Sequence, residues 1–123
     1  MNSLNKVQSH LLAECFNKLF IGGQFVDAID GKKISTYYPA TGDFLHEFPR
    51  GKANDVDAAV AAAEAAWEEG TWAGMSAAER ADIVTKMAQG IEDNIEMLAE
   101  IEAADVGKPY RQAAMTLGGA AGE

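Results

Sequence analysis

Cys15 is the only thiol in the chain, so any thiolate chemistry would have to start there. A cysteine nucleophile needs a base within hydrogen-bond reach and an electropositive setting that favours thiolate. His10 lies five residues upstream, a spacing that even on a helix points elsewhere, so Cys15 reads as structural or incidental. His46 shares strand parity with Phe44 and Phe48, which places it at the edge of an apolar face. Two histidines so far apart give no metal-ligand spacing. Glu92, Glu96 and Glu100 recur every four residues, the pattern of a solvated helix face. "GGAAG" at 118–122 has neither G-x-G-x-x-G spacing nor a preceding strand, so it reads as a glycine-rich helix edge or a chain end rather than a phosphate loop. Trp67 and Trp72 read as core packing of a helix and its following loop.

Asp105 breaks a local rule. It sits in the last turn of a helical pattern, two residues before Gly107, where free carbonyls leave partial negative charge. A carboxylate there costs roughly 0.3–1 kcal/mol. An ion pair with Lys108 or Arg111 would offset this, and so would a cation or backbone donor brought in by the fold.

Those residues need elements to hold them. The chain has 123 residues, 48% of them hydrophobic and 24% charged, which suits one modest globular domain. The formal charge of −9, with scattered basic residues, argues against nucleic acid as a partner. A single cysteine excludes an intrachain disulfide and suits a reducing compartment. No stretch approaches the roughly 20 apolar residues of a membrane span, and Glu14 and Asn17 interrupt any leader-like run. A cytoplasmic protein with no membrane partner is the expectation.

Residues 1–18 carry little signal and form a lead-in, mobile or briefly helical. From Leu19 the pattern is extended. "LFI" and "QFVDA" flank Gly22-Gly23, a hairpin signal; "KISTYY" and "DFLHEF" flank the Pro39-Ala-Thr-Gly42 turn. Four short strands in antiparallel hairpins are expected. Helical period begins near Asn54, a candidate N-cap, and places Val56, Val60, Ala63 and Trp67 on one stripe. Gly70 ends that helix, and "TWAGM" reads as a loop. Ser76 and Glu79 form a capping box. A second helical face (Val84, Met87, Ala88, Ile91, Ile95, Leu98) should break near residues 93–95 and stop at Gly107-Lys108-Pro109. "YRQAAMTLGGAAGE" begins a third helical pattern.

The order of these motifs is more specific than any one of them. A Phe-Ile-x-Gly hairpin, a Pro-Ala-Thr-Gly turn, an Asp-Val-x-x-Ala-Val helix, a Glu-Arg helix and a Gly-Lys-Pro close occur in register over residues 19–112. In this the chain resembles the start of the NAD(P)-dependent aldehyde dehydrogenase superfamily. The resemblance implies an α/β fold of which this is the N-terminal portion, hairpins first and helices after, with residues 19–123 an incomplete domain from a truncated reading frame or a fragment. It implies an oxidoreductase that converts an aldehyde to a carboxylic acid through a cysteine thiohemiacetal and a nicotinamide. The family's nucleophile, general base and NAD or NADP segments lie downstream of Gly-Lys-Pro, so this chain would supply scaffold, bind no cofactor alone and be inactive. Its partner would be the remainder of the chain, in an enzyme that is a homo-oligomer. Tyr38 departs from the family, which usually has Asn before the turn proline. Some members hold a monovalent cation near Gly-Lys-Pro; by position its ligands would be Asp105, Thr36 and the Tyr37 carbonyl. The rival reading is a stand-alone acidic α+β interaction module without activity.

Overall fold

The structure, a computed structural model, describes residues 3–13 and 17–122. Helix α1 (Ser3–His10) precedes two hairpins, β1 (Leu19–Ile21) with β2 (Gln24–Val26) and β3 (Lys33–Tyr37) with β4 (Phe44–Pro49). Helices α2 (Ala53–Glu69), α3 (Thr71–Gly74), α4 (Ala77–Asp93), α5 (Ile95–Val106) and α6 (Tyr110–Gly122) complete the chain. Each hairpin is its own two-stranded antiparallel sheet. Leu19 pairs with Val26 and Ile21 with Gln24 across Gly22 and Gly23, whose φ values of 59° and 77° are open to residues lacking a Cβ.

In the second hairpin Thr36 pairs with His46 but Tyr37 pairs with Phe44, so Leu45 is an extra residue on β4. Such a bulge resets the two-residue alternation of side chains. Leu45 therefore enters the core at 1% exposure while Phe44 stays 49% exposed against Tyr37. The core cluster joins Leu45 to Val7 on α1, to Leu11 just after it and to Ala104 on α5, with Tyr38, Phe48 and Ile101 packed around it. Gln8 secures the bulge, its amide donating to the Phe44 and Leu45 carbonyls at 3.0 and 3.3 Å. The weakly patterned lead-in thus carries a docked helix.

The helix boundaries follow local chemistry with three differences from the sequence reading. Lys52, not Asn54, precedes the first turn of α2, because Asp55 at the third helical position accepts the Lys52 backbone N–H at 2.8 Å. "TWAG" is a short helix rather than a loop, entered directly from Gly70 in left-handed conformation. The stripe Val56, Val60 and Trp67 faces outward, at 57, 59 and 79% exposure. Trp72 is also exposed, so neither tryptophan is core. What α2 does pack is its small side: a β-carbon on Gly22 would come within 3.7 Å of the Ala62 β-carbon. Val84 and Met87 on α4 are likewise exposed, while Ile91, Ile95 and Leu98 are partly covered.

Elsewhere the expected punctuation holds. Ser76 Oγ accepts the Glu79 N–H and the Glu79 carboxylate accepts the Ser76 N–H at 2.7 Å, closing the capping box of α4. The break falls at Asn94, and Gly107, at φ 74°, stops α5. Helix α6 lies on α4 and α5.

Candidate functional site

The turn after β3 meets the chain where α5 stops. Gly107 approaches the turn after β3 so closely that an added β-carbon would sit 3.4 Å from the Pro39 β-carbon. The turn itself is held by backbone: Tyr38 N–H donates to Asp43, and the Tyr38 carbonyl accepts from Gly42, both at 2.8 Å. Between α1, this turn, the end of α5 and the start of α6 opens a cleft of about 520 Å³, with Val7, Tyr38, Ala104, Gly107, Lys108 and Tyr110 on its walls. Tyr38, the departure from the family pattern, sets its ring between this cleft and the core cluster.

The three expected cation ligands lie on the two elements that converge here. Thr36 Oγ1 donates to the His46 carbonyl at 3.4 Å, and Tyr37 is more than half exposed. Asp105 is exposed, and its carboxylate makes no hydrogen bond or ion pair among the described residues. The local partners expected for it are not taken, since Lys108 Nζ lies 3.5 Å from Glu102, one turn earlier on the same helix. Thr36, Tyr37 and Asp105 offer a hydroxyl, a carbonyl and a carboxylate, all hard oxygen donors of the type group I and II cations prefer.

A second cluster was not visible in the sequence. Glu100 leaves the solvated row of Glu92 and Glu96 and accepts from Lys6 Nζ on one oxygen, while its other oxygen lies 3.3 Å from His10 Nε2. Lys6 and His10 stand one turn apart on α1, so the pair grips α5 from one helix face. The Lys6 hydrogen bond holds the Glu100 carboxyl below its ordinary value, partial burial opposing and His10 assisting. The spacing of Lys6 and His10 was readable, but nothing local marks their partner, 94 residues away in the Lys6 case.

The remaining candidates separate. Cys15 lies outside the described residues. His46 sits against Phe48 with ring centroids 4.9 Å apart, as its strand parity implied. Burial, then Lys33, pushes its pKa down against the pull of Glu47. Gly118 lies inside α6, where an added β-carbon would meet Ile95 Cδ1 at 3.3 Å, so this glycine lets two helices approach. At Gly118 the glycine-rich segment is a packing edge. Among the described residues no three His, Cys, Asp or Glu side chains cluster for a metal ion, and no helix is long and apolar enough to cross a membrane.

Comparison with known proteins places this arrangement. The profile of the aldehyde dehydrogenase family matches residues 25–122. Aldehyde dehydrogenase family 2 member C4 of Arabidopsis thaliana is 45% identical over 96 residues, which are 78% of this chain and 19% of the plant protein. The NAD+ complex of an aldehyde dehydrogenase from Bacillus cereus superposes with a TM-score of 0.80 at 44% identity, covering 95% of this chain and 25% of that one. An NAD-dependent aldehyde dehydrogenase from Sinorhizobium meliloti gives 0.82 at 39% identity, covering 85% and 21%. The chain therefore spans about a fifth to a quarter of the length of these relatives. Over most of its residues, and with the motifs in register, the chain belongs to the aldehyde dehydrogenase family.

Proposed function

We propose that this chain is the N-terminal scaffold of an oxidoreductase that converts an aldehyde to a carboxylic acid with NAD or NADP, and that it contributes no catalytic group. The observation that carries this is the position of the only cysteine, ahead of the matched region 25–122. Covalent aldehyde chemistry needs a nucleophile, and no residue inside the match is a cysteine. Nicotinamide, where bound, accepts hydride; on this reading the residues that hold it belong to the rest of a family chain, so no step is assigned to the residues here. They hold two hairpins and a helical layer in fixed register for the rest of a family chain, which is the partner. Homo-oligomerisation of the complete enzyme and a cytoplasmic setting belong to the same reading.

The test is NADH or NADPH production by the purified chain with several aldehydes. No turnover is expected; turnover abolished by Cys15→Ser would overturn the assignment. A stand-alone module would instead behave as a monodisperse monomer with one sharp unfolding transition.

The same reading assigns Asp105, Thr36 and the Tyr37 carbonyl as part of a monovalent-cation site. It is supported by the unpaired carboxylate at a helix end and by the approach of Gly107 to Pro39, two residues beyond Tyr37.

A further inference from the structure

Helix α2 packs only its small side, and the opposite side is built for contact. Val56, Val60, Ala63 and Trp67 recur at i, i+4, i+7 and i+11, a continuous apolar stripe, all exposed. At about 100° per residue, Asp57, Glu64 and Glu68 fall in a parallel row along one edge of that stripe. These three are exposed and have no ion pair among the described residues. A stripe topped by a 79% exposed tryptophan and edged on one side by three free carboxylates has a defined complement. An antiparallel second copy of this face would set row against row of like charge, a parallel copy would leave both rows without a cationic partner, and anionic lipid would be repelled.

We propose that the α2 stripe docks an amphipathic segment of the remaining part of an aldehyde dehydrogenase chain, one whose apolar face is edged by a row of Lys or Arg. Trp67 is the anchor, and the carboxylate row sets orientation and register. The proposal rests on the family reading for the source of the segment. That source is at hand in the relatives, since three quarters of the Bacillus cereus chain lies outside the region this chain covers.

The probe is a designed helical peptide with a leucine stripe and one lysine row, compared with the same peptide carrying glutamate in that row. Binding is read from Trp67 emission in a Trp72→Phe background. The lysine peptide should bind at least about tenfold tighter at low salt and lose that margin in about 0.5 M NaCl. Glu64→Lys with Glu68→Lys should reverse the preference, which also shows that the variant is folded; Trp67→Ser, read instead from the anisotropy of a dye-labelled peptide, should abolish binding to both. Overlapping peptides from the unmatched part of the Bacillus cereus relative, tested the same way, should yield a basic-edged binder. Equal binding of the two designed peptides, no binding, or Trp67-dependent self-association overturns the docking chemistry. A lysine-peptide binder with no family peptide overturns the source. Neither result bears on the aldehyde assay, so the two proposals fail separately.

Discussion

Asp55 is the one buried charged side chain among the described residues, at 5% exposure. One carboxylate oxygen accepts from the Ile29 backbone at 2.9 Å and the other from Lys52 at 2.8 Å, tying the loop after β2 to the start of α2. Removing it leaves two backbone donors without acceptors, so Asp55→Ala should cost about 1–3 kcal/mol, read as a lower urea midpoint. Asp55→Asn, which keeps one acceptor oxygen, should cost less. A carboxylate in a first turn is favourable for local reasons, but the second donor is not local, because Ile29 reaches Asp55 only through the fold. Asp105 presents the opposite case, an anion in an unfavourable place with no partner among the described residues. If it ligates a cation, wild type should melt higher in sodium or potassium than in tetramethylammonium chloride, and Asp105→Ala should abolish the difference. A mutant that melts higher than wild type in every salt, by up to about 1 kcal/mol of dipole relief, would exclude that role.

At the scale of elements, turn chemistry was the legible part. Gly22-Gly23, Gly70, Ser76 with Glu79, and Gly107 each act through backbone geometry a few residues long, and each stands where it was expected. Alternation along β4 was not legible, because one added residue at Leu45 exchanges inside for outside and leaves no local mark. The docking of α1 was missed for a related reason: an eight-residue helix has little propensity signal, and its hold comes from Val7, Leu11 and the Glu100 contacts. Those contacts have a pH signature. Glu100 is depressed from 4.5, so its contribution is present above the unfolded carboxyl value and is lost as pH falls through the lower folded one. Lys6, bonded to Glu100, is raised from 10.5, and its contribution is lost only as pH climbs through the raised value. Protease cleavage within α1 should therefore be slow near neutrality and accelerate below about pH 4. Glu100→Gln should cleave faster at neutral pH and show a flatter acid response.

For the whole molecule, the hydrophobic period identified helices but not what covers them. Val56, Val60, Trp67, Val84, Met87 and Met115 all face outward, more large apolar surface than an isolated monomer ordinarily leaves bare. The purified chain should bind a hydrophobic dye, and the signal should fall when a covering segment is supplied. A dye-silent monomer would show that these faces are tolerated by the isolated chain. The pattern misled because an apolar stripe reads alike whether or not the residues that would cover it are among the same 123.

The division of the strands into two separate ribbons carries a further consequence. Among the described residues every strand pairs with another along one flank alone, so each ribbon offers two open ladders of amides and carbonyls to any extended peptide. Gln8 occupies two such carbonyls at Phe44 and Leu45. Loss of that helix would free them, and recruitment of strands from other chains would then proceed by main-chain templating, indifferent to the side chains on α2.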